Sequence, residues 1–207
     1  VAVLGGAKIS SKIGVLSNLL ERVDSLHVGG AMACTFFRAR GVPTGRSLVE
    51  EDQVPVAREL LDSAAGGALL LPVDVVVAAE PTEGAATEVV SWDAIPADRM
   101  VVDVGPGTVA AIVADFTTAR TVVWNGPLGI YEIEAFAQGT RAVAKALGES
   151  TAFSVVGGGD LGAAVEDAGV ADSIDFISTG GGATLEFLEG RTLPGVAALA
   201  DRPAVVR

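Results

Sequence analysis

Two lysines stand four residues apart after a glycine pair, in Gly5-Gly6-Ala7-Lys8-Ile9-Ser10-Ser11-Lys12. The 207-residue chain has a formal net charge of −12 and only three lysines, so this pairing needs a reason. At i and i+4 they share one face of a helix's opening turns. Cations there oppose the helix dipole, so something negative is expected beside them. Two mobile ammonium groups next to backbone N–H donors suit a phosphoryl group in motion. Solvated surface lysines are the plain alternative, but elsewhere Arg nearly always replaces Lys.

Asp160 is the natural counterpart. It closes Gly157-Gly158-Gly159-Asp160, and Mg2+ commonly binds through one or two carboxylates plus phosphates. An N-cap for the following helix is its competing role. Glu132, seven residues past Asn125, suits ribose hydroxyls or a helix cap. His27 is the sole histidine, so no Ser-His-Asp or Cys-His set can be assembled. Cys34, in AMACTFF, reads as a core thiol, and Trp92 and Trp124 read as packing residues.

The elements that must position these residues are legible as alternating runs. VAVL (1–4), SLHV (25–28), ALLL (68–71), TVVW (121–124), FSVV (153–156) and FIS (176–178) are strand-like. Helix-like segments separate most of them, including Ile9 to Arg22, Glu134 to Leu147 and Leu161 to Ala168. Apolar runs alternating with helices predict an α/β fold, a Rossmann-like three-layer sandwich with a mostly parallel sheet of about six strands. VVVAAEPTEGAATEVVSWDAI predicts a small antiparallel excursion. No low-complexity linker or internal boundary interrupts residues 1–207, which predicts one domain.

Glycine turns follow five of the runs: Gly-Gly-Ala-Lys, Gly-Gly-Ala-Met (29–32), Asn-Gly-Pro-Leu-Gly (125–129), Gly-Gly-Gly-Asp (157–160) and Gly-Gly-Gly-Ala (180–183). A parallel sheet sets all of them at the carboxyl ends of its strands, where open α/β sheets bind ligands. Glycine lets backbone approach a ligand, and each following helix offers free N–H groups to an anion. A GxxxxGK[ST] loop is absent. Gly157 to Gly162 does satisfy GxGxxG, which keeps an NAD-dependent oxidoreductase among the readings. That fingerprint wants an acidic residue ending the next strand, and here the strand ends Ile177-Ser178-Thr179.

The totals exclude several classes. Hydrophobic residues make up 50% and charged ones 19%, enough for a sizeable core. No apolar run approaches the roughly 20 residues of a membrane span, and nothing resembles a signal peptide. The acidic balance argues against a nucleic-acid surface. A lone cysteine excludes a disulfide framework and fits a reducing cytoplasm. The chain lacks an initiator Met and begins inside a strand-like run, which predicts a fragment of something longer.

Together GGAKISSKI, VGGAMACTFF, LPVDVVVA, VVWNGPLGIYE, FSVVGGGD, ISTGGGATLEFLEG and LPGVAAL resemble, in order, the carboxyl-terminal half of phosphoglycerate kinase, over essentially all 207 residues. The resemblance implies a nucleotide-binding domain of a two-domain glycolytic enzyme, a cytoplasmic monomer. That enzyme moves a phosphoryl group between 1,3-bisphosphoglycerate and Mg-ADP, giving 3-phosphoglycerate and ATP. It implies that Lys8 and Lys12 serve the phosphates and the transferring group. Gly6, Ala7, Gly29, Gly30 and Val101 would belong to the nucleoside pocket, with Asn125 and Pro127 near the nucleotide and Glu132 on the ribose. Gly157, Gly158, Gly159, Asp160 and Leu161 would lie by the phosphates, Asp160 as ligand to Mg2+. Gly180, Gly181 and Gly182 would open a helix facing an interdomain cleft, with Gly181 in the catalytic set.

Three departures stand out. Leu161 replaces the family's usual Ser or Thr, Val101 stands where many members have Gly, and Phe176 stands where His is frequent. The acid-binding amino-terminal domain is missing, so the fragment alone is expected to be inactive. A stand-alone nucleotide-binding module without catalysis is the second reading.

Overall fold

The computed structural model describes residues 1–64 and 67–199. Six strands form one all-parallel sheet: β1 (Ala2–Leu4), β2 (Leu26–Val28), β3 (Leu69–Leu70), β7 (Thr121–Asn125), β8 (Phe153–Gly157) and β9 (Phe176–Ser178), in the order β3-β2-β1-β7-β8-β9. Each coincides with one of the apolar runs, and the expected three-layer architecture is present.

Apolar residues on successive positions are what a sheet covered on both faces requires. Along β1, Ala2 and Leu4 enter one core with Leu16, Phe36 and Phe37, while Val3 enters the other with Trp124, Ile112 and Val143. The first core is roofed by α1 (Ile13–Leu20), α2 (Met32–Ala39) and α3 (Val54–Ser63). The second lies under α4 (Pro106–Phe116), α5 (Gln138–Glu149) and α6 (Gly159–Asp167). Helix α7 (Gly181–Leu188) leans on α1, where the Asn18 amide donates to the Leu188 carbonyl at 2.8 Å, and a short α8 (Pro194–Ala197) follows.

The antiparallel excursion is larger than a hairpin. β4 (Asp74–Ala78) pairs with β5 (Thr87–Ser91) and also with β6 (Met100–Val104), giving a three-stranded sheet in the order β5-β4-β6. Two buried or half-buried carboxylates fasten it to the helices. Asp74 takes the Gly107 and Thr108 N–H groups at 2.8 and 2.7 Å and so caps α4, whose Pro106 needs no partner there. Asp103 does the same for α5, taking the Gly139 N–H at 2.7 Å.

Three helix boundaries differ from the sequence expectation. Helix α1 begins at Ile13 rather than Ile9, so Lys8 and Lys12 do not share a helical face. Glu50 causes this: its carboxylate accepts the Ser10 N–H at 3.1 Å and the Ser10 hydroxyl at 2.5 Å, while the Ser11 hydroxyl bonds the Lys8 carbonyl. Side-chain competition for the backbone turns residues 9–12 out of the helix. Likewise Glu134–Phe136 form a separate 3-10 turn before α5, and α6 starts two residues early at Gly159. Among the described residues no helix is long and apolar enough to cross a membrane.

Candidate functional site

The chain winds away from the sheet centre in both directions, so the turns after β1 and β7 face each other across a topological switch point. Their backbones are nearly in contact. Gly126 has φ +85, and a Cβ there would lie 2.6 Å from the Gly5 carbonyl oxygen and 2.8 Å from Lys12 Nζ. Gly30, with φ +69, is pressed as closely onto Gly6. At these two positions the left-handed backbone and the missing side chain are both required. Farther along, the Asn125 amide reaches the Gly157 carbonyl at 2.7 Å, and a Cβ on Gly181 would sit 3.8 Å from Gly158 Cα. The five glycine turns thus run along one edge.

A cleft of about 370 Å³ opens on that edge. Gly6, Ala7 and Gly30 form one side, Pro127 and Glu132 the other, with Val101 and Asp160 completing the set expected from sequence. The remaining wall is mostly apolar, with Ala31, Leu48, Met100, Val102, Leu128, Gly129 and Ile130, and one buried carboxyl, Asp103. An apolar slot with few polar groups suits a flat ring with a polar tail. A larger hollow of about 790 Å³ lies at the opposite, amino-terminal ends of β1, β2 and β7, around Val1, Ser25 and Thr121. It is distant in the fold from every candidate site residue, so the cleft is the better candidate.

Lys12 lies behind the cleft floor, 7% exposed. Its ammonium donates to Asn125 Oδ1 at 2.6 Å and to the Asn125 carbonyl at 3.1 Å. Burial lowers its pKa to about 8, because a desolvated cation is disfavoured. Lys8, by contrast, is exposed. Trp124 donates its indole N–H to the Gly126 carbonyl at 2.9 Å, which fixes the turn that faces Lys12.

Asp160 is exposed in the first turn of α6, where a carboxylate meets free N–H groups, yet it forms no side-chain cap. Among the described residues its oxygens have no hydrogen-bond partner, and no three His, Cys, Asp or Glu side chains gather to hold an ion by themselves. One free carboxylate at a cleft rim fits Mg2+ only as a ligand shared with phosphate oxygens. The rim is negative: the Tyr131 phenol is pushed up by burial and then by Asp160, Glu132 and Asp167.

Not every expected residue faces the cleft. Gly29 packs beneath Leu128, Gly157 packs against Thr184 and Asn125, and Leu161 is fully buried in the core under α6. Gly158 touches the Asn125 amide, Gly159 is open to solvent, and Gly181 starts α7 beside Gly158. Two residues escaped the sequence reading. Asp103, 1% exposed, lines the cleft, and an acid inside the apolar run MVVDV was its signal. Glu50, which shapes the lysine loop, gave none. His27 is buried away from the cleft and bonded at 2.8 Å to Asp115 on α4.

The phosphoglycerate kinase family model matches residues 1–191. This chain belongs to the phosphoglycerate kinase family. It is 55% identical over 206 residues to the phosphoglycerate kinase of Chloroflexus aurantiacus, covering 97% of this chain and 52% of that protein. Against the phosphoglycerate kinase of Moorella thermoacetica it is 55% identical over 204 residues, covering 98% and 52%. The solved phosphoglycerate kinase of Coxiella burnetii superposes with a TM-score of 0.91 at 48% identity, over 95% of this chain and 51% of that one. That of Pyrococcus horikoshii gives 0.84 at 36% identity, over 96% and 51%. The chain therefore spans about half the length of the phosphoglycerate kinases it matches.

Proposed function

We propose that this chain is the nucleotide-binding half of a phosphoglycerate kinase, a single domain that takes Mg-ADP or Mg-ATP in the cleft between the β1 and β7 turns. The observation that carries this is the largely apolar slot with Asp160 at its rim and Lys12 behind its floor, within a chain of that family. The base would lie against Val101, Val102 and Ile130, Glu132 would accept from the ribose hydroxyls, and the phosphates would run toward Asp160 and α6. Mg2+, shared between Asp160 and phosphate oxygens, would neutralise charge there.

Phosphoryl transfer asks the protein for positioning and charge stabilisation more than covalent chemistry. Lys12, with a pKa near 8, remains mostly cationic at neutral pH. It needs only to swing off Asn125 to meet developing negative charge. Lys8 is free to follow the transferring group from outside, and Gly181 offers the α7 N-terminus. The acid substrate, 1,3-bisphosphoglycerate as donor or 3-phosphoglycerate as acceptor in reverse, would be held by the family's other half in a cytoplasmic, monomeric enzyme. The oxidoreductase reading loses its footing because β9 ends at Ser178, whose hydroxyl is paired with Thr184 at 2.7 Å.

Calorimetry of the chain with Mg-ADP, and a coupled assay with and without the amino-terminal half, test the proposal. We expect weak binding alone, no turnover alone, and turnover on recombination. A folded chain that binds no adenine nucleotide overturns it.

A further inference from the structure

Asp103 sits where a carboxylate is costly, 1% exposed in the middle of β6, and no cation pairs with it among the described residues. Its oxygens are spent on backbone instead. Oδ1 accepts the Val104 N–H at 2.8 Å, Oδ2 accepts the Gly139 N–H at 2.7 Å, and the Gln138 N–H adds to them at the start of α5. The loop between β7 and α5 is folded tightly over the carboxylate. A Cβ on Gly129 would overlap Asp103 Oδ1 and the Phe136 carbonyl, and one on Gly139 would lie 2.7 Å from the same oxygen. Two further bonds run alongside: the Ile130 N–H to the Val102 carbonyl and the Leu128 N–H to Thr140 Oγ1, both 2.9 Å. That loop supplies Pro127, Leu128, Ile130 and Glu132 to the cleft.

We propose that Asp103 is a positioning residue for nucleotide recognition, fastening the 126–137 loop and the first turn of α5 to β6 so that the nucleoside half of the cleft is held in shape. The inference rests on the nucleotide reading above. A helix N-terminus and free N–H groups are good partners for an anion, and a buried acceptor that loses its donors leaves them unsatisfied. An apolar residue at 103 would keep the strand and lose the loop.

The charged side chains on the surrounding elements do not compete. Asp74 on β4 is used by Gly107 and Thr108, Glu134 pairs with Arg141 of α5, and Glu132 and Asp160 stand at the rim. Burial pushes Asp103 up to about 7 against the pull of its N–H donors. Opening of the loop would release this carboxylate to water, so opening becomes easier as pH rises from 3.8 toward about 7 and changes little above that.

The test compares the wild-type chain with Asp103→Asn and Lys12→Ala by calorimetry, using Mg-ADP and AMP well below the melting temperature. Asn keeps one acceptor and turns an NH2 toward a donor, so we expect about tenfold weaker binding of both ligands. Lys12→Ala should weaken Mg-ADP by a larger factor than AMP, the reverse of an even loss. Asp103→Asn binding both ligands like wild type, or losing Mg-ADP alone, overturns the proposal. Hydrogen exchange of the wild type supplies a reading that needs no variant. Protection of the Gly139 and Val104 amides should fall as pH rises from 3.8 to about 7 and level off above it, and a profile flat across that window overturns the fastening. A wild-type chain that binds neither ligand sinks the nucleotide reading, and the exchange profile then decides the role of Asp103 in the loop.

Discussion

Lys12 and Asn125 meet across the sheet centre, the ammonium 2.6 Å from the side-chain oxygen and 3.1 Å from the carbonyl of the same residue. A neutral amide is a weak counterpart for a buried cation, and the lysine pKa falls to about 8 as a result of burial. Phosphate oxygens arriving beside Lys12 would favour the charged form and raise that pKa again. Binding of Mg-ADP should therefore take up protons between about pH 8 and 10. Calorimetry in two buffers of different ionisation enthalpy measures this, and equal apparent enthalpies near pH 9 would count against Lys12 as a phosphate partner.

Lys12 and Asp160 should separate kinetically in the recombined enzyme. Lys12→Ala should lower kcat by about 100-fold or more with a smaller change in nucleotide KM, since its charge matters most as the phosphoryl group moves. Asp160→Ala should raise the KM for Mg-nucleotide as well as lower kcat, because a carboxylate holding the metal as proposed would act before and during transfer. A coupled assay across nucleotide concentrations distinguishes them.

Gly126→Ala should be among the most damaging small substitutions. It forces a Cβ into a left-handed position, 2.6 Å from the Gly5 carbonyl oxygen and 2.8 Å from Lys12 Nζ. Strain of about 1–2 kcal/mol adds to the displacement of both neighbours. Urea denaturation should show a loss of about 2–4 kcal/mol, with Mg-ADP binding weakened in the fraction that folds. Gly159→Ala, which meets nothing within 4 Å, is the control for stability alone.

Asp103 should leave a signature in the pH dependence of stability. The folded chain holds its proton to about pH 7, above the value of 3.8 expected for a solvated aspartate. Between those values the native state binds more protons than the unfolded state, so unfolding free energy falls as pH rises and levels off above 7. The effect amounts to at most about 4 kcal/mol. Denaturation of wild type and Asp103→Asn from pH 4 to 8 should show the wild type losing ground across that window and the variant lacking this slope.

The parallel sheet was readable because its strands are short apolar runs cut by glycine turns, a pattern that survives any detail of packing. Boundaries were less so. Ile9 to Lys12 has helical composition, yet Glu50, forty residues away, pulls Ser10 out of the helix. Side-chain burial was hidden for a more local reason. Leu161 follows Asp160 in sequence but points into the core, because α6 turns its face between the two. Met100–Val104, the third strand of the small sheet, is not legible because the strand Thr87–Ser91 stands between it and its partner Asp74–Ala78 in sequence.

The seam between β1 and β7 has a consequence for how the molecule comes together. Ala2 pairs with Val123 and Leu4 with Asn125, whereas every other pairing in the large sheet joins strands much nearer in sequence. Closing this seam therefore carries the largest loop-closure entropy in the sheet, and contacts of that range form slowly. The cleft opens over the same seam, with Gly6 on one bank and Pro127 on the other. A small molecule spanning both banks acts as a removable crosslink at the join the chain finds hardest to make, slowing its opening and adding stability in proportion to RT ln(1 + [L]/Kd).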